Sequence, residues 1–81
     1  MTHTPHARTA VLQALSEVTG RPPETIDTAQ GLDALGLDSL DFVRVVQLTE
    51  DAASVRLDDA SVSTVQSPDD LITLIAQVAA A

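Results

Sequence analysis

The sequence contains no cysteine, lysine, tryptophan or tyrosine, and Phe42 is its only aromatic residue. Without cysteine, the chain can form neither a disulfide framework nor a thiolate metal site. Because aromatic side chains are nearly absent, the core has to be built from aliphatic residues. The 81 residues are expected to form a single domain over 1–81, with flexible ends at 1–4 and 79–81 and little room for a deep catalytic cleft.

Basic residues are also scarce, since 4 arginines oppose 12 carboxylates and the net charge is −8 at pH 7. Nucleic acids and anionic membrane surfaces would be repelled, so we expect neither as a partner. Charge of this sign favours partner proteins with basic docking faces, although acidic residues also keep a small protein soluble. No segment is apolar enough for a signal peptide or long enough for a membrane span, so we expect a cytoplasmic monomer.

Hydrophobic periodicity predicts an all-α fold, a small bundle of three main helices plus one short helix with a long loop between helices one and two. Good N-cap residues precede the main helices: Thr4, Asp38 and Ser67, with Asp70 completing an approximate capping box after Ser67. The three main predicted helices cover about residues 5–19, 38 or 39 to 53, and from 68 onward, and a short third helix or turn is predicted over about 58–64.

The connection over residues 20–37 is long for a compact domain, which is unusual unless such a loop is functional or pinned. Four apolar residues spaced through it are predicted to pin it across the bundle: Ile26, Leu32, Leu35 and Leu37. The helix that follows is more apolar all round than a solvent-facing helix needs to be. Some of its apolar surface must therefore face a second packed element or a partner.

The run Leu-Gly-Leu-Asp-Ser-Leu-Asp at residues 35–41 resembles the signature of the acyl carrier protein family. That signature is a Gly, one residue, then Asp-Ser-Leu at the start of the second helix, and Gly36, Asp38, Ser39 and Leu40 match it in order and spacing. The predicted order of helices and the hydrophobic spacing after the motif extend the resemblance along nearly the whole chain. The resemblance implies a non-catalytic carrier of acyl thioesters, with 4'-phosphopantetheine attached covalently to Ser39.

The position of Ser39 suits this chemistry independently. A serine in the first turn of a helix projects its hydroxyl into solvent, and a phosphodiester there lies near free N–H groups and the positive end of the helix dipole. The carboxylates of Asp38 and Asp41 oppose a phosphate but could guide a basic modifying enzyme or its bound cation. Since the only histidines, His3 and His6, lie near the N-terminus, Ser39 is interpreted as a transferase substrate, and a hydrolase is disfavoured. The simpler alternative is that Ser39 shares helix capping with Asp38.

The resemblance also implies partners, namely a phosphopantetheinyl transferase and acyl-loading and acyl-processing enzymes of ketosynthase, acyltransferase or ligase type. In the family, partners read the second helix through acidic and apolar side chains. The candidate docking residues are Asp38, Leu40, Asp41, Val43, Arg44 and Gln47. Leu40 and Val43 could instead be ordinary core residues.

Several departures from the family pattern bear on the pathway. Arg44 lies in the middle of helix two, Thr49 and Ala53 stand where bulkier apolar residues are common, and the usual loop aromatic is missing near Gly31 and Leu32. These departures favour polyketide or related natural-product biosynthesis over a housekeeping fatty-acid carrier. An aminoacyl or peptidyl carrier and an arm-free helical interaction module remain as alternatives, the former disfavoured because no Gly-Gly pair precedes the Asp-Ser.

The other polar clusters carry weaker signals. His3 and His6 lie three residues apart without further ligands, so no metal site is expected. The acidic pairs at 58–59 and 69–70 are interpreted as helix starts, not as an acid–base site. Glu50 and Asp51 end helix two, where the dipole disfavours acids, and either docking or solvation would explain them.

Overall fold

The computed structural model describes residues 6–80, and within them it contains helices, turns and loops but no strand. The all-α prediction is therefore confirmed. The helices are α1 His6–Thr19, α2 Ser39–Ala53, α3 Asp59–Val62 and α4 Pro68–Ala80, with 3₁₀ turns at Pro23–Thr25 and Asp33–Leu35 between α1 and α2. The predicted cap Thr4, the predicted first helical residue Pro5 and the predicted flexible end at 1–4 lie outside the described residues.

The three main helices have close to the predicted bounds, and the predicted third helix or turn over about 58–64 is helical in its first part, α3, and a turn after it. Helix α3 ends at Val62 because the hydroxyls of Ser63 and Thr64 bind backbone carbonyls three residues back, those of Ala60 at 2.7 Å and Ser61 at 2.8 Å. Such local side-chain bonds compete with the helical ladder. The chain after α3 therefore continues as turns.

The start of α4 confirms Ser67 as its cap and corrects the predicted capping box. The Asp70 N–H donates to Ser67 Oγ at 3.3 Å, as expected. The reciprocal contact differs, because the Asp70 carboxylate accepts from the N–H of Gln66 at 2.9 Å and not from that of Ser67. The carboxylate thus reaches one residue further back and holds the segment that enters the helix.

The core is aliphatic, as predicted, and α1 packs against both α2 and α4. Its most buried large side chains include Leu15, Leu71 and Ile75, each 1% exposed. Thr49 on α2 is fully buried as well, and its hydroxyl donates to the carbonyl of Val45 at 2.7 Å. That bond satisfies the hydroxyl, so a polar residue can occupy a core position without an unpaired group.

The long loop is pinned to the bundle, as predicted. Ile26, Leu35 and Leu37 are buried, and Leu32 packs partly buried against the core. Two backbone hydrogen bonds tie the loop to the region before and at the start of α4: Leu32 N–H to Gln66 O at 3.0 Å, and Asp69 N–H to Thr28 O at 2.9 Å. The loop therefore delivers the chain to the start of α2 along a fixed path.

Candidate functional site

A left-handed glycine and a buried leucine set the entry into α2. Gly36 has φ +78° and ends the second 3₁₀ turn, donating its N–H to the carbonyl of Asp33 at 3.0 Å. Residues with a Cβ rarely adopt this conformation, which accounts for a glycine here. Leu37 then enters the core at 8% exposure. Together they anchor the backbone immediately before Asp38.

Asp38 is the N-cap of α2. Its backbone is extended, and its carboxylate Oδ1 accepts a hydrogen bond from the N–H of Asp41 at 2.8 Å. Its carbonyl accepts the first helical bond, from the N–H of Phe42 at 2.9 Å. Asp38 therefore supplies the side-chain cap of α2, and the capping alternative for Ser39 is not needed.

Ser39 is the first residue of α2 and is exposed to solvent. The backbone N–H groups in the first turn of a helix lack intrahelical acceptors, and the helix dipole places partial positive charge there. The Asp38 carboxylate accepts a hydrogen bond from the N–H of Asp41. The N–H groups of Ser39 and Leu40, earlier in the same turn, remain for another acceptor. The Ser39 hydroxyl is thus accessible at a helix end that favours a phosphate group.

A groove of about 370 Å³ lies beside Ser39, bounded by the loop before α2, by α2 itself and by α3 with the turn after it. Its lining combines apolar side chains with acids: Leu32, Asp33, Leu37, Asp38, Ser39, Phe42, Asp59, Val62, Ser63 and Val65. A smaller groove of about 190 Å³ runs between α2 and α3. Phe42, Asp59 and Val62 line both grooves. The sequence analysis did not predict that these three residues line both grooves. The one signal for it was Phe42, the single aromatic residue, three positions after Ser39.

The charges that line the groove beside Ser39 are all negative, from Asp33, Asp38 and Asp59. These carboxylates partly offset the favourable effect of the helix end on a phosphate group, whereas they would attract a basic protein surface. Next to this groove, Asp58 caps α3 and its Oδ1 accepts from the N–H of Ser61 at 2.7 Å. That backbone bond, with a second contact to the Ser61 hydroxyl, lowers the pKa of Asp58 below its ordinary value of 3.8.

Most of the candidate docking residues lie on exposed surface at the start and along one side of α2. Leu40 is 72% exposed and Val43 is 47% exposed, so the alternative that they are ordinary core residues is wrong. Arg44 and Gln47 are exposed beside them. Of the two acids, Asp38 is exposed and Asp41 is half-buried.

The acid at the end of α2 has a role that the sequence did not reveal. The Glu50 carboxylate Oε2 accepts a hydrogen bond from the N–H of Leu57 at 2.7 Å, across the loop between α2 and α3. Both residues line the smaller groove. A contact between residues seven positions apart depends on how the loop turns back. The only signal in the sequence was an acid placed where the helix dipole disfavours it.

The expectation that His3 and His6 form no metal site concerns side chains outside the described part of the chain, namely His3 and the side chain of His6. Among the described residues, no group of three or more His, Asp or Glu could hold a metal ion. None of the helices between residues 6 and 80 has both the length and the apolar character that crossing a bilayer requires.

Comparison with known proteins gives two consistent results. A family model described as the phosphopantetheine attachment site matches residues 9–75, which includes all of α2 and α3 and the groove beside Ser39. Acyl carrier protein 3 from Ralstonia nicotianae is 37% identical over 62 residues, a match that covers 75% of this chain and 71% of that protein.

Proposed function

Since the chain belongs to the acyl carrier protein family, whose covalently attached cofactor is 4'-phosphopantetheine, we propose that it carries acyl groups on an arm attached to Ser39. The observation that carries the assignment of Ser39 is its exposure as the first residue of α2, beside the groove and directly after the capping Asp38. When bound, the arm supplies a terminal thiol that holds acyl groups as thioesters.

The residues around Ser39 fit this cofactor. The exposed hydroxyl leaves room for an approaching transferase, and the first-turn amides of α2 stabilise a phosphodiester. The carboxylate of Asp38 is held by the N–H of Asp41 at 2.8 Å, so it points to the helix amides as well as bearing charge toward solvent. Gly36 and Leu37 fix the backbone on the N-terminal side of Asp38. Tethering cargo at this point raises its effective concentration at a partner's active site.

The proposed role is that of a carrier and substrate of other enzymes, not of a catalyst. The groove beside Ser39 is lined by carboxylates and uncharged side chains. Nucleophilic serine catalysis requires a base within hydrogen-bond reach of the hydroxyl, oriented by a third group. The residues lining the groove include no histidine, which supports a non-catalytic serine. We propose that Ser39 receives the arm from coenzyme A through a phosphopantetheinyl transferase, as the family assignment implies.

We propose that the pathway is polyketide or related natural-product biosynthesis. The support is the make-up of α2: an exposed arginine, Arg44, in its middle and a fully buried, internally hydrogen-bonded Thr49. A housekeeping fatty-acid carrier and an aminoacyl or peptidyl carrier are the competing roles.

Loading assays separate the acyl carriers from the aminoacyl or peptidyl carrier. The arm-bearing protein is incubated separately with malonyl-coenzyme A plus a malonyl transferase, and with an amino acid, ATP and an adenylating enzyme, and its intact mass is measured. We expect a malonyl mass gain that hydroxylamine removes, and no aminoacyl gain. Aminoacyl loading without malonyl loading would contradict the acyl assignment while leaving the arm in place.

A further inference from the structure

The exposed side of α2 carries one charge over its middle turns, and that charge is positive. We define the α2 stripe as Leu40, Val43, Arg44 and Gln47, four exposed residues that follow one another at helical spacing. Residues 42–49 contain no carboxylate. In a chain with a net charge of −8, the exposed surface along the middle of α2 is therefore apolar and cationic, in contrast to the acidic groove beside Ser39.

The α2 stripe is close enough to Ser39 for a partner to contact both. At a rise of about 1.5 Å per residue, Leu40 lies about 1.5 Å, Val43 about 6 Å and Arg44 about 7.5 Å along the helix axis from Ser39. A protein that accepts cargo from an arm on Ser39 covers a patch much wider than this distance. Arg44 is thus inside the area that such a partner covers.

The nearest acids do not neutralise Arg44. Asp41, one turn earlier, is half-buried, and Glu50 directs its carboxylate to the N–H of Leu57 at 2.7 Å. Within residues 6–80, no carboxylate lies in ion-pair contact with the guanidinium. An approaching protein therefore meets an arginine whose charge is available for pairing.

We propose that the acyl-processing enzyme that uses this chain presents an apolar recess for Leu40 and Val43 with a carboxylate beside it for Arg44. This inference rests on the proposed carrier function. Arginine pairs with a carboxylate through two parallel hydrogen bonds, which gives orientation as well as affinity. A partner face made only of lysine and arginine would place like charges together at this point and would be rejected. Arg44 is thus a specificity-determining residue within an otherwise acidic protein.

The test compares charge reversals in fully arm-bearing protein. The probe is a malonyl transferase supplied with malonyl-coenzyme A, and kcat/KM for malonyl transfer is measured for the parent, Arg44→Glu, Arg44→Lys and Arg21→Glu. Arg21→Glu is the matched control, because Arg21 is also exposed but lies in the connection after α1. Circular dichroism checks that each variant is folded.

We expect Arg44→Glu to lower kcat/KM about tenfold through a higher KM, Arg44→Lys to restore part of this loss, and Arg21→Glu to stay within about threefold of the parent. A loss smaller than threefold for Arg44→Glu, a gain, or an equal loss for Arg21→Glu would overturn the inference alone. Failure of the parent to accept the arm would instead contradict the proposed function and the inference together.

Discussion

The carboxylate of Glu50, in the last turn of α2, accepts a hydrogen bond of 2.7 Å from the backbone N–H of Leu57. This contact closes the loop between α2 and α3 and gives the acid a partner that offsets its unfavourable place at the negative end of the helix dipole. Both residues also border the smaller groove. The position of α3 beside α2 therefore depends in part on one side-chain bond.

Replacing Glu50 by Ala is expected to destabilise the fold by about 1 kcal/mol, because a part-buried N–H loses its acceptor while the dipole penalty is relieved. Asp51→Ala is the matched control, since Asp51 is an exposed acid in the same turn, and we expect a change within about 0.5 kcal/mol. Urea unfolding gives the free energies, and amide hydrogen exchange at Leu57 reports the bond itself. Equal effects of the two substitutions, with unchanged exchange at Leu57, would show that the contact does not hold the loop.

Gly36→Ala is expected to destabilise the protein by about 1 kcal/mol or more through backbone strain alone. The reason is that Gly36 has φ +78°, while a Cβ added there would meet no atom within 4 Å. Gly31→Ala is the control, because a Cβ at Gly31 would make only an ordinary contact of 3.7 Å with the carbonyl oxygen of Gln66. Thermal and urea unfolding should separate the two variants. If both were equally tolerated, the turn before Leu37 would not require a left-handed residue.

The stability contributed by the Asp58 cap is expected to depend on pH. Because hydrogen bonds from Ser61 lower the pKa of Asp58 in the folded state, the unfolded chain takes up the proton at higher pH than the folded one. The stability that the cap contributes is therefore fully present above about pH 4, and it is lost as the pH falls through the lower pKa of Asp58 in the folded state. The difference in unfolding free energy between the parent and Asp58→Ala should be largest at neutral pH and should narrow in acid. A difference that stays constant or widens in acid would contradict this.

Truncation of Leu40 should affect acyl transfer to partners, whereas truncation of Leu37 should affect the stability of the fold. Leu40 is 72% exposed, so we expect Leu40→Ala to change stability by less than about 0.5 kcal/mol and to raise the KM of acyl transfer several-fold. Leu37 is 8% exposed in the core, so Leu37→Ala should cost about 2 kcal/mol or more. Urea unfolding and acyl-transfer kinetics with arm-bearing protein check both effects. An unchanged KM for Leu40→Ala would remove Leu40 from the docking surface.

Much of the fold follows from local sequence signals. The cap residues Asp38 and Ser67 and the apolar periodicity after them predict where α2 and α4 begin, because caps and amphipathic spacing act over only a few residues. The loop leucines likewise predict a pinned connection. The sequence could not decide whether Leu40 and Val43 face a partner or the core, since α2 is apolar on more than one side and only the packing of its neighbours selects the buried face.

The features that were not predicted depend on how distant segments meet. The bond from Leu57 to Glu50 requires the loop after α2 to fold back, and the contact of Asp70 with Gln66 depends on the direction in which the chain enters α4. The end of α3 is set by hydroxyl–carbonyl bonds that compete with the helix. The two grooves that share Phe42 arise from the placement of α3, which no local pattern specifies.

The most direct test of the central claim is the intact mass of the protein after incubation with coenzyme A and a broad-specificity phosphopantetheinyl transferase. The parent, Ser39→Ala and Ser63→Ala are compared, since Ser63 is an exposed serine that lines the same groove. We predict a gain of one phosphopantetheine for the parent and for Ser63→Ala, and none for Ser39→Ala. A gain by Ser39→Ala, or no gain by the parent while a control carrier is modified, would contradict the assignment of Ser39 as the attachment site.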